Sequence, residues 1–160
     1  MNKAQFVYVT YIAATPERIF AALTETEFTR KYWEAENVSD WKVGSRWEHR
    51  RTQDKSASAM VGKVIENAPP RRLVYSWALP ADEANSAKHS RVTFELEPIA
   101  DMVRLTVTHA ELEPDSDMLR GISQGWPRVL SSLKSLLETG RALPGKSQCD
   151  LKAAAAGRPR

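Results

Sequence analysis

The chain has 160 residues, 42% hydrophobic and 27% charged, which suits one domain with its own core and excludes a low-complexity or fibrous protein. No apolar run approaches bilayer length and Met1-Asn2-Lys3-Ala4-Gln5 leads straight into a strand pattern, so neither a membrane span nor a signal peptide is expected and the expected location is the cytoplasm. The single cysteine, Cys149, excludes an internal disulfide and a thiolate metal cluster.

Residues 6–12 are dense in β-branched and aromatic side chains and read as a strand. Thr15-Pro16-Glu17 then supplies a capping hydroxyl, a proline at the first helical position and an acid favoured by the helix dipole. Ile19, Phe20 and Leu23 give this short helix its buried side, and it should end near Thr24. Thr26-Glu27-Phe28 opens a second short helix expected to reach Trp33. From Trp41 the pattern changes to period two, with strands expected over 41–51, 57–67, 72–78, 90–97 and 102–109. Turn chemistry separates them: Pro69-Pro70, residues 80–86 and residues 98–101. The alternation is cleanest in Val92/Phe94/Leu96 and Val103/Leu105/Val107, with Arg91, Thr93, Glu95 and Arg104, Thr106, Thr108 pointing outward. One wet and one dry face mark an antiparallel sheet.

After a polar loop over 111–116 and a lead-in over 117–124 comes the one long helix signal. Trp126, Val129, Leu130, Leu133, Leu136 and Leu137 recur at spacings of three and four and form one apolar stripe. Arg128, Ser131, Ser132, Lys134, Ser135 and Glu138 fill the other side. The helix should begin between Ser123 and Trp126 and end near Thr139. The stripe must be buried, and only the strands are left to receive it. The expected fold is therefore α+β: a curved antiparallel sheet of about six strands wrapped around a long C-terminal helix, with two short helices after the first strand. Residues 1–140 form this single domain. Residues 141–160 carry five basic residues against Asp150, a net of +4, which leaves the first 140 at −1 of the chain's +3. The basic character thus belongs to a tail expected to be disordered, and specific nucleic-acid binding is not expected of the domain.

Several chemistries lack their motifs. The seven glycines make no phosphate loop or dinucleotide fingerprint, and no Gly-x-Ser-x-Gly elbow is present. His49, His89 and His109 have no metal-ligand spacing, and the strand acids Glu48, Glu66, Glu95 and Glu97 fall mostly outward, so no metal, cofactor or hydrolytic carboxylate pair is expected. His109 continues the inward register of Val103, Leu105 and Val107. It reads either as a polar handle at a cavity end, able to orient a ligand or move a proton, or as a strand-end histidine satisfied by backbone or water. His49 shares a register with Trp47, but Arg51 does too, which points to a wet strand end; His89 falls in a polar loop and reads as solvated. Five tryptophans, Trp33, Trp41, Trp47, Trp77 and Trp126, either fill the core or line a pocket between helix and sheet.

The element order and several motifs resemble the START-like (SRPBCC) superfamily and its helix-grip fold. Within it, the resemblance is to the heat-shock protein 90 ATPase activator homologues of the C-terminal-domain type. Thr15-Pro16-Glu17-Arg18-Ile19-Phe20, Trp41-Lys42-Val43-Gly44-Ser45-Arg46-Trp47, Gly62-Lys63-Val64-Ile65-Glu66 and Pro69-Pro70-Arg71-Arg72-Leu73-Val74-Tyr75-Ser76-Trp77 carry it, with Arg91-Val92-Thr93-Phe94, Leu105-Thr106-Val107-Thr108-His109 and Gly125-Trp126-Pro127-Arg128. The resemblance spans roughly residues 5–139 and implies a cavity between sheet and helix. The expected function is binding of a small apolar or aromatic molecule, lined by Trp33, Trp77, Phe94, Leu105, Val107, His109, Trp126, Val129, Leu130 and Leu133. Two alternatives stand beside it: a cyclase or dehydratase on the same fold, with His109 as acid–base, and a chaperone- or partner-interaction protein without ligand. The eukaryotic activators carry a further amino-terminal domain that contacts the chaperone, and a single domain here does not imply that role. Homodimer formation is left open.

Overall fold

Short polar turns between strands of matching alternation favour pairing with the sequence neighbour, and the sheet is built almost wholly that way. In a computed structural model, which describes residues 2–33, 35–51 and 58–144, the strands are β1 (Ala4–Ile12), β2 (Ala35–Val38), β3 (Arg46–Arg51), β4 (Ser58–Ala68), β5 (Arg72–Trp77), β6 (Ser90–Ile99) and β7 (Met102–Leu112). Helices α1 (Pro16–Thr24) and α2 (Thr26–Tyr32) follow β1, and α3 (Asp117–Thr139) follows β7. The sheet runs β1-β7-β6-β5-β4-β3-β2, antiparallel throughout. Bulges in the β3–β4 and β4–β5 ladders bend it around α3. This is the helix-grip layout the resemblance implied.

Three expectations are corrected in detail. Among the described residues the sheet has seven strands, because β2 pairs with β3, Asn37 opposite His49. Its Ala-Glu-Asn-Val sequence is a poor strand former, and α2 supplies the support. Thr29 Oγ1 accepts from the Asn37 N–H at 3.2 Å, and Thr26 Oγ1 donates to the Asn37 carbonyl at 3.3 Å. The strand expected over 41–51 begins only at Arg46, since Trp41 (φ 60°) and Gly44 (φ 90°) are left-handed. The Trp41 indole holds that turn by donating to the Thr24 carbonyl at 2.9 Å.

The third correction is the start of α3. It begins at Asp117, six to nine residues before the expected point, because Ser116 caps it by accepting from the Leu119 N–H at 3.1 Å. Pro127 therefore lies inside the helix rather than at its first turn. The end is as expected, with Gly140 left-handed and its N–H donating to the Leu136 carbonyl at 2.9 Å. Lys134 Nζ donates to the Tyr11 carbonyl at 2.5 Å, and Glu138 accepts from the Ala13 N–H at 2.8 Å, so α3 also covers the end of edge strand β1.

The stripe is buried as its spacing predicts except at Leu136, which is partly buried, with Leu130 and Leu133 closed to solvent. Trp47 is fully enclosed, and its indole donates to the Ser76 carbonyl at 2.8 Å across Gly62, where any Cβ would collide with both groups. The strand acids pair with arginines: largely buried Glu48 with Arg46 and Arg50, and on the surface Glu66 and Glu95 with Arg72 and Glu97 with Arg104. Past Gly140 the chain folds back, Ser135 donating to the Arg141 carbonyl at 2.7 Å and Ser132 Oγ accepting from the Leu143 N–H at 3.2 Å. Cys149 and the rest of the expected tail lie outside the described residues.

Candidate functional site

Strand alternation points Tyr75 and Trp77 of β5, Phe94 of β6, His109 of β7 and Trp47 and His49 of β3 at α3. Trp126 on α3 descends among them, and Trp33 closes over it from the end of α2. The result is one continuous aromatic cluster. Trp33 lies 5.3 Å from Trp126 between ring centroids, Trp126 5.7 Å from Trp77, and Trp77 5.5 Å from Trp47. Phe94 meets Trp126 edge-on at 5.6 Å. These offset and tilted contacts are the favoured geometries of aromatic rings. Trp33 is only half-buried, whereas Trp77, Phe94 and Trp126 are enclosed.

His109 is fully enclosed at the inner end. The Trp126 indole N–H, which can only donate, meets His109 Nδ1 at 3.0 Å. Nδ1 is therefore the acceptor, and the proton sits on Nε2, which donates to Ser90 Oγ at 2.7 Å. Ser90 in turn donates to the Trp77 carbonyl at 3.2 Å. Burial lowers the His109 pKa to about 3, so the ring is neutral near pH 7. Its inward register was legible, but its partners are side chains rather than backbone or water, because β7 runs on to Leu112 and leaves no wet strand end. With both nitrogens engaged, His109 can exchange a proton with a bound molecule only after one of these bonds breaks.

The second polar feature was not expected. His49 is buried rather than at a wet strand end, because β2 and Trp33 cover it; exposure at that end begins at Arg51, the last residue of β3. Its Nδ1 lies 2.6 Å from Asn37 Oδ1, an oxygen that only accepts, so Nδ1 carries the proton. Burial first, then the nearby Arg51 charge, lower the His49 pKa to about 4. The Asn37 amide nitrogen is buried with no hydrogen-bond partner. His49 faces Trp33 at 4.8 Å and Trp77 at 6.2 Å.

Of the residues read from the sequence, Trp33, Trp77, Phe94, His109 and Trp126 come together in this cluster. Leu105, Val107, Val129, Leu130 and Leu133 are buried in the same core, with Val107 opposite Phe94 on the neighbouring strand. His89, read as solvated, instead ties its loop down: Nδ1 lies 3.2 Å from Ser76 Oγ, and Nε2 lies 3.1 Å from the carbonyls of Asp82 and Glu83. Asn37, Ser90 and Met118, which receives the Trp77 indole N–H at its sulfur at 3.3 Å, had no signal in the sequence. Among the described residues no three His, Cys, Asp or Glu side chains gather as metal ligands would, and no helix is long and apolar enough to cross a membrane.

Residues 13–138 match the model of the family described as Activator of Hsp90 ATPase homolog 1-like protein. No curated protein sequence matches the chain. Among solved structures, the Aha1 dimer from Colwellia psychrerythraea is 23% identical with a TM-score of 0.72, covering 87% of this chain and 99% of that one. Protein MLL2253 from Mesorhizobium loti is 25% identical with a TM-score of 0.71, covering 84% and 97%. PFC0360w, an HSP90 activator from Plasmodium falciparum, is 22% identical with a TM-score of 0.68, covering 83% and 95%. At these identities the likeness establishes the fold.

Proposed function

We propose that this chain, which belongs to the family of Activator of Hsp90 ATPase homolog 1-like proteins, is a cytoplasmic START-like domain that holds a small apolar or aromatic molecule between α3 and the sheet. One observation carries the proposal: Trp33 and Trp77, from separate elements, pack against Trp126 around two neutral imidazoles, and Trp33 is left half-buried above them. Such an arrangement favours a flat guest without negative charge, since indole faces return dispersion and stacking but offer an anion nothing in place of its water. Phe94, Leu105, Val107, Val129, Leu130 and Leu133 would form the deeper lining, with His109 at the inner end. Trp33 is the side chain that a guest would displace.

The acid–base enzyme reading is less well supported, because Trp126 and Ser90 occupy both His109 nitrogens. Tryptophan fluorescence during titration with flavonoids and polyketide-like aromatics tests the proposal, with fatty acids as the anionic, non-planar contrast. A saturable change for one class is expected, and it should weaken in Trp33→Ala. No change with any class would sink the binding role.

A second reading, contact with a protein partner, is favoured by the outward row Val7, Val9 and Tyr11 on β1, exposed at 48%, 44% and 44%. The Plasmodium falciparum relative is described as an HSP90 activator, and a chaperone of that type is the partner this reading names. Stimulation of Hsp90 ATPase by this chain, lost in Val9→Lys, would establish it; an unchanged ATPase rate would exclude it.

A further inference from the structure

We infer that Asn37 and His49 form a polar anchor that selects aromatic guests bearing a neutral carbonyl oxygen, a specificity that rests on the small-molecule reading above. Asn37 is only 1% exposed, and its amide nitrogen has no partner. Buried polar groups are nearly always paired, so an orphan donor in a fixed frame needs an explanation. The frame is fixed on every other side. Asn37 N–H donates to Thr29 Oγ1 at 3.2 Å, its carbonyl accepts from Thr26 Oγ1 at 3.3 Å, and its side-chain oxygen accepts from His49 at 2.6 Å. In this orientation Oδ1 takes the His49 proton and the amide nitrogen is the atom left over.

The surroundings define the guest. His49 faces the rings of Trp33 and Trp77, so a flat body stacked there would lie beside the anchor. The nearby carboxylate Glu36 is paired with Arg30 at 3.0 Å, and His49 is neutral near pH 7. An anionic oxygen would lose more hydration in this apolar setting than one neutral amide could return. A ketone, lactone or amide oxygen loses less and satisfies the orphan N–H. The anchor thus reads the acceptor, while the indoles hold the ring.

Isothermal titration of the whole chain with 1-tetralone and with tetralin, two bicyclic probes of nearly the same shape that differ by one carbonyl, tests this. Wild type should bind the ketone about three- to tenfold more tightly, the range of one net hydrogen bond. Asn37→Leu should abolish that preference, read as the ratio of the two affinities. Asn37→Asp, which keeps an acceptor for His49 but removes the amide donor, should abolish it too and serves if the leucine variant does not fold. Equal binding of both probes by wild type, or a preference that survives in either folded variant, overturns the anchor and leaves the binding role standing. Binding of neither probe overturns the binding role and the anchor together.

Discussion

Replacing His109 with phenylalanine tests the inner end of the cluster through its response to acid. Near pH 7 the variant leaves the buried Trp126 indole N–H without its acceptor, while Ser90 keeps the Trp77 carbonyl. One orphaned buried donor costs about 1–3 kcal/mol. Acid narrows that difference. An unfolded histidine titrates near pH 6.5, and burial holds His109 down to about 3 in the folded chain. Because the folded value is the lower one, its stabilisation is complete above about pH 6.5 and is lost as the pH falls toward 3. Each unit in that range is worth about 1.36 kcal/mol, so by about pH 4.5 the wild type loses roughly 2–3 kcal/mol that phenylalanine cannot lose. His49 and the carboxylates titrate in both proteins and largely cancel in the difference. Urea unfolding followed by tryptophan fluorescence, near pH 7 and near pH 4.5, reads it out. A gap between the two proteins that is the same at both pH values would refute a neutral, doubly bonded His109.

Other perturbations address the frame. Gly62→Ala would place a Cβ 1.9 Å from the Ser76 carbonyl and 2.5 Å from the Trp47 indole nitrogen. It should cost about 3 kcal/mol in chemical unfolding through overpacking and loss of that bond. Leu133→Ala, at a fully enclosed position on α3, should cost about 2–5 kcal/mol, and a near-wild-type melting curve would place the stripe against a loose wall. Removing residues 145–160 should leave the melting transition unchanged, since the contacts of Arg141, Ala142 and Leu143 with α3 and the core are retained.

The frame was legible because its signals are local. Thr15-Pro16-Glu17 started α1 where the capping geometry does, and the stripe from Trp126 to Leu137 identified the buried face of α3. The period-two register also pointed His109 inward. Local rules failed where a residue's role depends on a distant partner. Ala35–Val38 is a strand because Thr26 and Thr29 staple it to α2, which no strand propensity records. His49 looked wet because Arg51 shares its register, yet one residue at the end of a strand can turn outward while its neighbour stays covered by β2 and Trp33. Ser90 and Asn37 are ordinary polar residues in the sequence, and only the fold brings them to the two imidazoles. Pro127 and the glycines before it broke the periodicity that would have extended α3 back to its Ser116 cap.

The most direct test of the binding role follows the five indole N–H resonances in a nitrogen-15 correlation spectrum while 1-tetralone is added. Trp41 donates to the Thr24 carbonyl and meets the cluster at its Tyr75 margin, whereas Trp33 and Trp77 both pack on Trp126 at its centre. Saturable shifts of those three, with Trp41 unmoved, are the expected result. Five stationary resonances, or a shift confined to Trp41, would contradict a guest held between α3 and the sheet.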